Sequence, residues 1–129
     1  MTYIENIAQF LENESLGNLG VDLFVGRFPA SPNNCIAVLD TGGVEPDTYL
    51  EILNPTFQVF IRNESYPNGH EKLRSIREKL HRFANGELVE DGSYFYFIKA
   101  LSNGGPVGRD ENELQLFSIN FLAKVRGEK

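Results

Sequence analysis

The sequence of 129 residues holds one cysteine, one methionine, two histidines and no tryptophan. A single thiol, Cys35, excludes an internal disulfide, and its place in the apolar run CIAVL suits a small buried hydrophobe rather than a nucleophile. His70 and His81 stand eleven positions apart, roughly three helical turns, too far for both to ligate one ion. No stretch approaches the ~18 uninterrupted apolar residues of a membrane-spanning helix. The N-terminal stretch MTYIENIAQFLENES lacks the basic start and apolar core of a secretion signal, which points to the cytoplasm. Positive charge is also scarce: 12 Lys and Arg against 18 Asp and Glu leave a net −6, which argues against gripping nucleic-acid phosphates as the main task. Gly42-Gly43 and Gly104-Gly105 fit neither a phosphate-binding GxxxxGK[ST] loop nor a GxGxxG that opens a helix, so turns account for them. Without a nucleophile triad, a ligand cluster or a cofactor fingerprint, no catalytic residue, metal or cofactor is expected.

What the chain does contain is 41% hydrophobic and 23% charged residues, enough for a packed core and too apolar for a disordered protein. One domain spanning residues 1–129 is expected. Residues 2–13 place Ile4, Ile7, Ala8 and Leu11 at helical spacing, with Glu5, Asn6, Gln9 and Glu12 opposite them. Residues 21–28 and 35–39 are strand-like runs separated by Pro29, Pro32 and Asn33-Asn34, which predicts a hairpin. In residues 56–62, Phe57, Val59 and Ile61 alternate with Gln58, Phe60 and Arg62, the signature of a half-buried strand. Pro67-Asn68-Gly69 reads as a turn before a helix over residues 70–83, where Leu73, Ile76, Leu80 and Phe83 form one apolar stripe and Asn85-Gly86 marks the end. Strands over residues 94–101 and 114–125 come next, joined by the glycine-rich stretch SNGGPVGRDEN, a loop or an extended hairpin tip. The order α-β-β-β-α-β-β defines an α+β domain with a mostly antiparallel sheet and two main helices.

Charge and aromatics are unevenly placed. Five basic residues face two acidic ones on the helix at residues 70–83, a net of +3 that leaves −9 on the rest of the chain. Such a helix face is usually solvated, and phosphate contact is the sharper alternative. Tyr94, Phe95, Tyr96 and Phe97 stand in succession, which sets aromatics on both faces of one strand. Either a helix or second layer covers each face, or one face awaits a partner.

The chain further resembles a known family. An N-terminal helix is followed by LGNLGVDLFVGRFPASPNNCIAVLDTGG at residues 16–43, NPTFQVFIRNESY at 54–66 leading into the second helix, and GRDENELQLFSINFLAKVR at 108–126. In this order and spacing they resemble the tail-terminator proteins of long-tailed bacteriophages, also described as minor capsid or tail-completion proteins. The resemblance implies a small non-enzymatic α+β protein that forms a homohexameric ring on the end of the tail tube. The ring stops tube polymerisation and presents the docking surface for the head connector. It implies a place in the virion tail at the head-tail junction, assembly in the host cytoplasm, and partners that are other copies of itself, the tube protein and the connector. DNA would pass through without specific binding, and no membrane is involved.

The family has no active-site motif, so candidate contacts come from loops. They are Asp40, Thr41, Gly42, Gly43 and Asp47 in the loop at residues 40–48, and Gly104, Gly105, Arg109 and Asp110 in the loop at residues 103–112. Arg62 is the candidate for an inter-subunit ion pair. The competing readings are a head-completion protein binding the portal side, and a small cytoplasmic ligand-binding α+β domain.

Overall fold

The computed structural model describes residues 2–126, and capping chemistry sets where its helices begin. Helix α1 (Tyr3–Asn13) starts at Thr2, whose hydroxyl accepts from the Glu5 amide while the Glu5 carboxylate accepts from the Thr2 amide. This reciprocal pair satisfies two amides that a helix start would otherwise leave free. Ile4, Ile7, Ala8 and Leu11 are buried as their spacing predicts. Asn6, expected on the polar face, is buried as well: its amide donates to the Thr2 carbonyl at 2.6 Å and its Oδ1 accepts from the Ser93 amide at 3.0 Å. Gly92 makes room for it, since a Cβ there would collide with the Asn6 side chain. A polar residue on a helix can thus be a tertiary tie, invisible to periodicity.

Strands β1 (Leu23–Val25) and β2 (Cys35–Asp40) pair in parallel, not as the predicted hairpin. The connection between them is long enough to return to the starting end of the sheet, and it lays Phe28 against Phe60 with ring centroids 5.4 Å apart. Strand β3 (Ile52–Leu53) is short, and β4 (Thr56–Asn63) keeps the predicted alternation. Helix α2 (Tyr66–Leu80) begins four residues before the expected start. Ser65 caps it, and Pro67 falls in the first turn, where a missing N–H breaks no helical bond. Gly69 is buried here because a Cβ would collide with the Phe117 ring, so the glycine serves close helix-sheet approach and not a turn. The helix stops at Leu80, before Phe83. Arg82 takes φ 74°, its amide donates to the Ile98 carbonyl, and the chain enters β5 (Ala84–Glu87), so Asn85-Gly86 lies in a strand and not at the helix end.

Strand β6 (Tyr94–Ala100), β7 (Gly105–Arg109, inside the glycine-rich stretch) and β8 (Gln115–Arg126) complete one eight-stranded sheet of order β1-β2-β4-β8-β6-β5. All pairings except β1 with β2 are antiparallel. The architecture is the expected single α+β domain, with β3, β5 and β7 as short additions to the predicted strands. At 12 residues, β8 runs roughly 40 Å and organises the sheet. Its first half pairs with β7 and its second half with β6, while β4 and β3 lie on its other side.

Both helices pack on the same face of this sheet. Ile7 and Leu11 of α1 and Leu73, Ile76 and Leu80 of α2 join Val38, Phe57, Ile61, Phe117, Ile119 and Phe121 in one core. Phe57 and Phe121, directly opposite on neighbouring strands, stack at 5.0 Å. The successive aromatics of β6 resolve through a bulge between Phe95 and Phe97. Phe95 and Ile98 point into the core, and the extra residue lets Tyr96 and Phe97 both lie on the opposite, helix-free face.

Candidate functional site

Among the described residues, the face of the sheet opposite the two helices carries no helix. Residues that alternate with the core positions form it: Leu39 on β2, Gln58 and Phe60 on β4, Phe97 and Lys99 on β6, and Ser118, Asn120, Leu122 and Lys124 on β8. Phe60, Phe97 and Leu122 are half-buried, although strand alternation would lead one to expect polar groups on a solvated face. Tyr94 and Tyr96 pack at 5.1 Å beside them, and the Arg126 guanidinium lies 4.7 Å above the Tyr94 ring. At one end the segment after β1 covers the face, with Phe28 against Phe60; among the described residues no such aromatic cover lies on the β6–β8 half.

A second feature is the arm at residues 41–51, every residue of which is exposed. It leaves β2 and returns to β3, whose partners Val125 and Arg126 place it at the C-terminal end of β8. The arm has its own structure. The Thr41 and Thr56 hydroxyls bond at 2.8 Å, the Val44 amide donates to the Asn54 carbonyl, and the Asp47 amide donates to the Ile52 carbonyl. Asp47 Oδ1 accepts from the Tyr49 and Leu50 amides, both at 2.9 Å. Those two donors, chiefly Tyr49, hold the Asp47 carboxyl below its ordinary pKa, with Lys124 nearby adding to the effect. Gly43, at φ 119°, passes so close to Asn54 and Pro55 that a Cβ would collide with that backbone. This ordered arm nevertheless holds its apolar side chains in solvent: Tyr49 is 93% exposed, Val44 63% and Leu50 61%.

The residues predicted from sequence thus divide into separate places. Asp40, Thr41, Gly42, Gly43 and Asp47 build the base and turn of the arm; the Gly42 amide donates to Asp40 Oδ1 at 2.9 Å. The Tyr3 hydroxyl is buried near Asp40 without closing a hydrogen bond to it, and burial first, then that carboxylate, raises its pKa. Gly104 and Gly105 lie midway along β8, beside Ser118 and Ile119. Arg109 and Asp110 lie at the opposite end of β8 from the arm. There Asp110 Oδ1 accepts from the Asn112 and Leu114 amides, and Arg109 pairs with Glu113 at 3.2 Å.

Arg62 lies beneath the β1–β2 connection. It is 5% exposed, its guanidinium donates to the Pro32 carbonyl at 2.7 Å and the Asn33 carbonyl at 3.2 Å, and it lies 4.8 Å above the Phe28 ring. The group therefore pins the β1–β2 connection of its own chain.

The basic face of α2 is likewise tied to neighbouring segments. Lys72 donates to the Leu16 carbonyl, Arg77 to the Asn103 carbonyl, and Lys79 lies 3.6 Å from Glu14. Cys35 is buried at the edge of a small cavity lined by Asp22, Arg62 and Lys72, and burial pushes its thiol pKa up, away from the reactive thiolate. His70 lies against Tyr66 and Phe117, while His81 accepts from the Ala100 amide through Nδ1. Among the described residues no group of three or more His, Cys, Asp and Glu side chains is placed to hold a metal ion.

Sequence reasoning anticipated aromatics on both faces of β6 but did not single out the other apolar members of the two surfaces. Val44, Tyr49 and Leu50 sit in a polar-looking loop, and Phe60, Phe97, Leu116 and Leu122 occupy the outward phase of strands. The available signal was the aromatic run Tyr94–Phe97 of β6, with Phe60, Leu116 and Leu122 as isolated apolar residues in the otherwise polar outward phases of β4 and β8. Such an arrangement presents contact surfaces.

Similarity to known proteins agrees with a structural role. The family profile described as bacteriophage tail terminator protein matches residues 10–126. No curated protein matches the sequence. The match runs from the last turn of α1 through α2 and all eight strands, including the arm and the β7–β8 turn. The chain belongs to the bacteriophage tail terminator family, structural proteins that complete the phage tail.

Proposed function

We propose that this protein acts without catalysis, as a homohexameric ring on the end of the tail tube. The ring stops addition of further tube subunits and offers its free side to the head connector. The observation that carries this reading is the family match over residues 10–126. The arm and the uncovered sheet face support it, because a subunit of a closed ring needs two different contact surfaces. Asp40, Thr41, Gly42, Gly43 and Asp47 shape one contact, and Gly104, Gly105, Arg109 and Asp110 shape another, toward a neighbouring subunit, the tube or the connector. Arg62 contributes by holding its own chain's β1–β2 connection in shape. The ring sits at the head-tail junction of the virion after assembly in the host cytoplasm. The net charge of −6 per chain, repeated around a channel, keeps DNA moving without holding it.

A phage carrying a stop codon in this gene tests the reading. A terminator predicts tails of abnormal length, with the tube polymerised past its normal end. Normal-length tails beside unfinished heads would refute it in favour of a head-completion role.

A further inference from the structure

The arm and the helix-free face complement each other in both polarity and charge. Between residues 40 and 51 the chain carries Asp40, Glu45, Asp47 and Glu51 and no basic residue. On the helix-free face, β4, β6 and β8 carry no carboxylate, and their β6–β8 half presents Lys99 and Arg126 around Phe97 and Leu122, while Lys124 lies near Asp47 of its own chain; the nearest acid on the sheet is Glu87, opposite Tyr94 at the edge. The arm's own apolar tips do not turn back onto that face, since Tyr49 is left 93% exposed. Its turn is already closed by hydrogen bonds to Asp47, so docking would order little further chain. Exposed tyrosine on a preformed loop is the kind of anchor that dominates binding energy when it enters an apolar patch.

We propose that the arm of one copy docks on the helix-free face of a second copy, seating Tyr49 and Leu50 against Phe97 and Leu122. The acidic residues Glu45 and Glu51 then face Lys99 of that copy. The two surfaces differ, so the contact is head-to-tail. Such a contact repeats around a closed ring when its rotation divides the circle. The inference rests on the ring reading above and names the surfaces that make the ring.

The experiment uses the full chain in three forms: wild type, an arm variant (Tyr49→Ser with Leu50→Ser) and a face variant (Lys99→Glu). Thermal unfolding first confirms that each variant is folded, as the exposure of Tyr49, Leu50 and Lys99 predicts. Sedimentation then gives the mass of each alone and of the two variants mixed. The expected result is rings for wild type and the 14.5 kDa monomer for each variant alone. The mixture reaches twice the monomer mass and no more, because the face variant's intact arm meets the arm variant's intact face only once. A general loss of structure cannot be complemented in this way. Rings formed by either variant alone, or a mixture that stays monomeric while wild type assembles, overturn the arm-face contact and leave the ring reading standing. A wild-type chain that remains monomeric at millimolar concentration and leaves tail ends without a ring overturns both.

Discussion

Replacing Arg62 by alanine separates a side chain that holds its own fold from one that reaches a neighbour. The guanidinium makes two hydrogen bonds, to the Pro32 and Asn33 carbonyls, and stacks over Phe28. A hydrogen bond from a charged group contributes about 1.5–3 kcal/mol, and a partly desolvated cation-π contact adds about 1 kcal/mol. Pro32 and Asn33 are exposed, so water can replace part of what their carbonyls lose. The net destabilisation expected is about 3 kcal/mol, a large share of the roughly 5–15 kcal/mol that holds a domain of this size together. That corresponds to a fall in Tm of about 10 °C, measurable by calorimetry or by urea unfolding of the dilute chain. Arg62→Lys should recover part of the loss, because an ammonium reaches one carbonyl but cannot bridge two in the plane of a fork. A Tm unchanged within about 2 °C, together with failed assembly, would refute this reasoning and return Arg62 to the role of an inter-subunit partner.

Other expectations concern single positions. Gly69→Ala should lower stability by about 1–2 kcal/mol in urea unfolding, because overpacking against Phe117 outweighs the gain in helix propensity; a rise in the urea midpoint would contradict the close approach. Gly105→Leu meets open space, so stability should stay within about 0.5 kcal/mol while ring or tube docking is lost; equal loss of folding would remove Gly105 from the contact surface. Gly43→Ala should instead cost the fold about 1–3 kcal/mol, through its positive φ and the Asn54 backbone, with the thermal midpoint as the readout. The Asp47 turn depends on pH in a defined direction. Its folded-state pKa is depressed, so its stabilisation is fully present above the unfolded value of about 3.9 and lost as pH falls through the lower folded value. Amide shifts of Tyr49 and Leu50 in an NMR titration should therefore move with a midpoint below the ordinary aspartate range, and a midpoint at or above it would rule the turn out.

Much of this molecule was legible in the periodicity of its sequence. Burial of a stripe at helical spacing placed α1 through Ile4, Ile7 and Leu11, and α2 through Leu73, Ile76 and Leu80. Alternation placed β4 and the inward phase of β8, because a strand sends successive side chains to opposite faces whatever lies beyond them. The family was legible in the order of the motifs. The same local rules misread Pro67 as a turn, since proline suits a loop and the first turn of a helix equally well. They also missed the burial of Asn6, whose partner lies at Ser93. Parallel pairing of β1 with β2 was beyond them for the same reason: strand propensity says nothing about which direction the neighbouring strand runs.

By itself, then, the sequence determined the two helices, the strands β1, β2, β4, β6 and β8, their order and most of the core side of each, because these depend on residue type and short-range spacing. Only the tertiary structure decided that both helices cover one face, that Arg62 is held beneath its own chain's β1–β2 connection, and that an acidic, apolar arm and a lysine-bearing sheet face are left exposed together. Those outcomes depend on contacts between residues far apart in the chain, such as Arg62 with Pro32 and Phe28, and no local pattern carries that information.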